Sequence, residues 1–154
     1  MKERTSSTEL ERITQLGPVC ICNNLRRAAR LVTNYYDKLF EPTGLRVSQL
    51  TLLVVLYRAG IQTINEMAEK LELDRTTLTR NLKPLANQGL LTIAPGGDQR
   101  TRVVALTPAG EAVLIKALPL WEQAQSHMVE GLGEANAALL LAQLSVAAAL
   151  THSD

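Results

Sequence analysis

Thr76, Thr79, Arg80 and Lys83 stand at offsets 0, 3, 4 and 7, and the leucines of the same stretch, Leu78, Leu82 and Leu85, repeat on the other side of a helix. Short hydroxyls and cations sharing one helical face suit base edges and flanking phosphates, and a major groove is wide enough to admit a helix. Further on, Asp98-Gln99-Arg100-Thr101-Arg102 follows Gly96-Gly97 and puts arginine at the tip of a glycine-rich hairpin. Arginine there can enter a narrow minor groove, drawn by its enhanced negative potential. Asp98 beside Arg100 is expected to hold the guanidinium in place. Taken singly, each feature also fits an ordinary solvated surface; their succession along the chain favours contact with duplex DNA.

Cys20 and Cys22 form a second candidate constellation. On a helix, residues two apart point away from each other, whereas in an extended segment they share a face. An intrachain disulfide is therefore poor on a helix, but a dimer could bring two such pairs together. Thiolates favour soft metalloids, soft metals or oxidants. The plainer alternative makes them small buried hydrophobes at a subunit seam, since two cysteines build no disulfide framework. His127 and His152 have no metal spacing with each other or with carboxylates. Tyr35, Tyr36 and Trp121 either line an effector cavity or pack in a core poor in aromatics. No phosphate-binding glycine loop, nucleophile–base signature or metalloenzyme motif is present, so nothing speaks for an enzyme, and no cofactor is required.

These residues need elements to hold them. Thr63-Ile64-Asn65-Glu66 is a capping box, and Ile64, Met67, Ala68 and Leu71 give the helix behind it one apolar stripe. Asp74 caps the next helix, Gly89 closes it, and Pro84 inside it is expected to kink it. Strands are expected over Leu90–Ala94 and Thr101–Leu106. Upstream, a helix from Cys20 to Phe40 carries Leu25, Ala28, Ala29, Val32, Tyr36, Leu39 and Phe40 on one face. Residues 1–17 read as a mobile arm or a short leading helix. Ser48 is a plausible N-cap for a helix ending near Gly60. Thr107-Pro108 starts a long helix toward His127, bent near Pro119 and broken by Gly131 and Gly133. The last helix, from about Glu134 to Leu150, has leucine or alanine on nearly every side and so must be enclosed, most simply by a second subunit. The expected fold is mainly α with a small β-wing. A winged helix-turn-helix head (46–107) joins a helical dimerisation region (18–45 and 108–154) and an N-terminal arm (1–17).

Composition agrees with this reading. The 154 residues are 46% hydrophobic but only 3% aromatic, so the core is aliphatic. Net charge is only +1, yet it is unevenly spread. Residues 74–102 hold five basic residues (Arg75, Arg80, Lys83, Arg100, Arg102) against Asp74 and Asp98, and residues 108–154 hold only Lys116 against five acidic ones. Phosphate binding depends on such a local surface. The polar start lacks the apolar core of a secretion signal, and the run Ala135–Leu150 is shorter than the roughly 20 residues of a spanning helix. A cytoplasmic protein with no membrane partner is expected.

The stretch DRTTLTRNLKPLANQGLLTIAPGGDQRTRVVALTPAG resembles the recognition helix and wing of the MarR family of bacterial transcriptional regulators. LRRAARLVTNYYDKLFEPTGLRVSQLTLL resembles that family's first two helices, and the likeness covers about residues 19–150. It implies a homodimer joined through the first and last two helices. It also implies binding to double-stranded DNA at a short pseudo-palindrome, usually as a repressor released by a small effector, an oxidant or a metal. Carried over by position, Arg75, Thr76, Thr77, Thr79, Arg80 and Lys83 match the groove-facing helix, and Asp98, Arg100 and Arg102 match the wing. The chain departs from the family pattern at Gln99, where arginine is frequent, and at Ala94, where a basic residue often stands, which implies a weaker wing contact. The rival expectation is a winged helix used only for protein–protein assembly, which would need no basic groove face.

Overall fold

Residues 7–98 and 101–151 are described by a computed structural model of the chain. Gln99, Arg100 and His152 fall outside the described residues, and with them the expected position of Arg100 at the wing tip. The chain opens with helix α1 (Ser7–Val19), so the leading-helix alternative holds for the described part of residues 1–17. Cys20 then takes an extended conformation (φ −72°, ψ 111°) in the cap position of α2 (Ile21–Phe40). Tyr36 and Phe40 of α2 are buried, and Val32, Tyr35 and Leu39 pack against the core. The upstream part of the expected stripe, Leu25, Ala28 and Ala29, is uncovered within this chain.

A single 3-10 turn at Glu41–Thr43 leads to Gly44, whose left-handed φ of 72° turns the chain into α3 (Val47–Ala59). Ser48 is not the cap. Arg46 occupies that position: its N–H donates to Gln49 Oε1 (2.9 Å), and the Val47 N–H donates to Asp37 Oδ1 on α2 (2.7 Å). A carboxylate from another helix supplies what the nearby serine was expected to supply, which leaves Ser48 exposed within the first turn.

The helix-turn-helix follows. A two-residue strand β1 (Gln62–Thr63) runs into α4 (Ile64–Lys70), and the capping box forms in both directions. The Thr63 N–H donates to Glu66 Oε2 (2.8 Å) and the Glu66 N–H to Thr63 Oγ1 (3.2 Å). Glu72, left-handed at φ 52°, ends this helix, and the Leu73 N–H reaches back to the Ala68 carbonyl (2.9 Å). Helix α5 (Arg75–Asn87) runs through Pro84 without ending there. Strands β2 (Leu91–Pro95) and β3 (Arg102–Leu106) form the wing hairpin, with Leu91 opposite Leu106 and Pro95 opposite Arg102. β1 pairs with the free edge of β3, giving the antiparallel order β1-β3-β2. Two residues are too few for an alternation signal, so this third strand is not legible in sequence.

Helix α6 (Pro108–Leu132) continues past His127, through Pro119 and Gly131, and stops at Gly133, where φ is 81°. Gly131 therefore does not break it; only the second glycine adopts the left-handed conformation that ends a helix. Helix α7 (Glu134–Ala149) follows. Phe40, Leu53, Leu56, Met67, Leu78, Leu82, Leu85, Leu91 and Val104 form the fully buried centre, joining α2, α3, α4, α5 and the sheet. The start of α6 is seated on the wing. Thr107 donates its hydroxyl to the Gly89 carbonyl (2.7 Å) and its N–H to the Leu90 carbonyl (3.2 Å), and Gly110 lies directly against Leu90. Among the described residues, no single helix is long and apolar enough to cross a membrane.

Candidate nucleic-acid interface

Helix α5 is fixed at its start by Asp74. The Thr77 N–H donates to Asp74 Oδ1 (2.8 Å) and the Thr77 hydroxyl to Oδ2 (2.5 Å). The same bonds, the hydroxyl's first, hold the Asp74 carboxyl below the usual range. Thr77 is accordingly half-buried and turned to the cap, apart from the outer face with which its position was grouped. Leu78, Leu82 and Leu85 are wholly buried, whereas Thr76, Thr79, Arg80 and Lys83 are all exposed. The division into a core face and a polar face is therefore as the periodicity requires. Thr79 donates its hydroxyl to the Arg75 carbonyl (2.7 Å), so that proton is engaged within the helix and the oxygen is left to accept.

Arg75 and Arg102 come together. With Thr63, Ile64, Asn65 and Thr101 they line a small polar cleft of about 110 Å³, where the starts of α4 and α5 meet the turn end of β3 in the wing. The sequence places these two arginines in separate elements and gives no sign of their convergence. At the hairpin, Asp98 accepts from the Thr101 N–H (2.6 Å) and hydroxyl (2.8 Å), and the Gly96 N–H donates to the Thr101 carbonyl (2.8 Å). Among the described residues the Asp98 carboxylate thus closes the turn, a role the sequence reading did not assign to it. A Cβ on Gly96 would lie 2.9 Å from Thr101 Cγ2, so glycine lets the two strands close there.

The aromatic candidates separate. Tyr36 is a core residue: its hydroxyl donates to Gln125 Oε1 on α6 (3.0 Å), and burial pushes its phenol up. Tyr35 packs its ring on His127, with centroids 4.9 Å apart. Trp121 borders an apolar cavity of about 560 Å³ between α3 and α6. Tyr57 and Glu111 share its lining and escaped the sequence reading, because the space is created by two helices distant in the chain. Both cysteines are exposed thiols, so neither is a buried hydrophobe within this chain. Among the described residues, no group of three His, Cys, Asp or Glu side chains could hold a metal ion.

Comparison with known proteins follows the same geometry. The MarR family model matches residues 43–101, which span α3 to the wing turn. The organic hydroperoxide resistance transcriptional regulator of Bacillus subtilis is 31% identical over 101 residues, 65% of this chain and 69% of its own. The HTH-type transcriptional regulator YwoH of the same organism is 31% identical over 59% of this chain and 66% of its own. The chain thus spans about two thirds of the length of these curated relatives. The solved transcriptional regulator MosR of M. tuberculosis, in complex with DNA, is 35% identical with a TM-score of 0.75, covering 86% of this chain and 98% of that one. The repressor CouR, bound to a 23-mer DNA duplex, shares the fold at 24% identity and a TM-score of 0.77 over 94% of this chain and 99% of its own. Identity at this level along almost all of MosR, on a head whose polar helix face stands clear of its core, leaves one assignment: the chain belongs to the MarR family and is a winged-helix, DNA-binding transcriptional regulator.

Proposed function

We propose that this protein is a repressor that binds a pseudo-palindromic operator as a homodimer and releases it on meeting an effector. The observation that carries this reading is the exposed face Thr76, Thr79, Arg80 and Lys83, held rigidly by an α5 whose leucines are wholly buried. In it, Arg80 and the threonines reach base edges, Lys83 and Arg75 meet phosphate, and Arg102 with Arg100 serves the minor groove. Asp74, Thr77 and Asp98 position these groups. The head comprises residues 46–107.

Dimerisation is supported by apolar surface that one chain leaves bare. Leu139, Leu141 and Val146 of α7 are each more than half exposed, and Val19, Ile21 and Leu31 likewise. Covering a leucine contributes about 1.5–3 kcal/mol, so a second subunit on residues 18–45 and 108–154 is the economical cover. Half-sites would then lie about 34–36 Å apart.

Two inputs suit the release step. One is the cavity between α3 and α6, because a ligand there touches the head through α3 and the dimerisation region through α6. The other is the thiol pair. Cys20 and Cys22, with their counterparts on the partner subunit, form a site for a trivalent metalloid or for oxidation, in keeping with a relative named for organic hydroperoxide resistance. Such an effector acts by having different affinities for two spacings of the heads.

The test is a gel shift on duplex DNA from the chain's own promoter, with and without trivalent arsenic, antimony or peroxide, for wild type and Cys20→Ser/Cys22→Ser. Binding that needs Arg80 supports the reading. A protein that ignores DNA but captures another protein through its wing would establish the assembly-module alternative. Release that is equal in the double variant would assign the input to the cavity alone.

A further inference from the structure

The cavity between α3 and α6 has an unusual balance of chemistry. Its walls are aliphatic and aromatic, with Leu50, Leu114, Leu118, Tyr57 and Trp121 among them, and it is large enough for a compact organic molecule. Besides the Tyr57 phenol and the Trp121 indole N–H, the polar side chains of the lining are Glu111 and Thr51. Glu111 brings a carboxylate, and the Thr51 hydroxyl proton is already given to the Val47 carbonyl (3.1 Å). Among the described residues, no lysine, arginine or histidine belongs to the lining. Among the described residues, Glu111 forms no ion pair. Its place in the first turn of α6 is favourable to the helix dipole, but that alone would not set it at the rim of an apolar space.

We infer that this cavity takes a lipophilic cation, an aromatic or branched ammonium-type molecule. Its charge meets the Glu111 carboxylate, and its apolar groups lie on Trp121 and Tyr57. Indole and phenol rings attract cations through their negative faces, and the attraction grows as water is excluded. An anion of the same shape finds no cation to pair with and a carboxylate that repels it. The inference deepens the effector reading of this cavity given above and rests on it.

Trp121 is the sole tryptophan of the chain, so its emission reports occupancy directly. Tetraphenylphosphonium and tetraphenylborate share one shape and carry opposite charge. The phosphonium should change Trp121 emission saturably, with affinity at least about tenfold above the borate's. Glu111→Gln should weaken the phosphonium about tenfold and bring the two probes closer together. Equal or tighter binding of the borate, an unchanged phosphonium affinity in Glu111→Gln, or no response to either probe overturns the inference. A gel shift run in parallel separates the two levels. If the phosphonium binds through Glu111 while DNA stays bound, the ligand class stands and the effector reading falls. If the borate alone releases DNA, the effector reading stands and the ligand class is wrong.

Discussion

Two glycines of α6 should respond to the same substitution with opposite sign. A Cβ on Gly110 would stand 2.1 Å from the Leu90 carbonyl oxygen and 2.6 Å from Leu106 Cδ1, where ordinary contact begins near 3.4 Å. Relief requires movement of more than 1 Å, and the nearer obstacle is backbone, already held by the Thr107 N–H. Overpacking of this kind costs about 3 kcal/mol at its upper range. Alanine returns roughly 1 kcal/mol through helix propensity. Gly110→Ala should therefore be destabilised by about 2 kcal/mol, a fall in melting temperature of about 4–8 °C for a chain of this size. Gly131 lies in the same helix with nothing within 4 Å of the added carbon and no left-handed φ. There, alanine should contribute about 0.5–1 kcal/mol and raise the melting temperature by about 1–4 °C. Thermal and urea unfolding of both variants decide the matter. A Gly110→Ala protein as stable as wild type would refute the close seating of α6 on the wing; a loss at Gly131 would show that something not present in the single chain fills that space.

Arg80→Ala should weaken operator binding by about 1–3 kcal/mol and relax preference at one base pair, whereas Lys83→Ala should weaken all sequences alike and reduce the salt slope by about 1; titrations over a salt series with variant duplexes distinguish them. Replacing Leu140 and Leu144 by Glu should give monomers that have lost operator binding, read by sedimentation. Stability should fall in acid through the two caps of the helix-turn-helix. The carboxyls of Glu66 and Asp74 are held below their ordinary values of 4.5 and 3.8 by hydrogen bonds from Thr63 and Thr77. The folded state then binds fewer protons, so their contribution is complete above those values and is lost as pH falls through the lowered folded ones. Urea midpoints against pH should show a shallower acid limb in Glu66→Gln/Asp74→Asn than in wild type.

The parts of the head that local chemistry determines were legible in the sequence. The Thr63–Glu66 box, the Asp74 cap and the Thr107 start depend on side chains within three residues of the backbone groups they serve, and each forms as expected. The leucine spacing likewise identified the polar face of α5. What escaped depends on partners far along the chain. Asp37 displaced Ser48 as the source of a cap from ten residues away. β1 exists only because β3 offers it an edge. Tyr57, Glu111 and Trp121 meet at a cavity that neither α3 nor α6 defines alone, and Arg75 meets Arg102 across a turn of 26 intervening residues. Gly131 was misjudged for a related reason: composition marks a glycine as a possible stop, but only the backbone conformation, adopted at Gly133, makes one.

The Asp37 contact bears on how motion can pass between the two halves of the molecule. Its carboxylate takes the Val47 N–H at 2.7 Å and lies 3.5 Å from the Arg46 guanidinium, so one side chain of α2 clamps the first turn of α3. This clamp sits between α2 and α3, just ahead of the helix-turn-helix. Bending at that seam would strip the cap from α3, a loss of about 0.5–2 kcal/mol in each subunit. A displacement that keeps this clamp moves the end of α2 and the start of α3 together, and the cavity between α3 and α6 is where such a displacement meets unfilled space. A molecule lodged in that space would act as a wedge against the clamped pair.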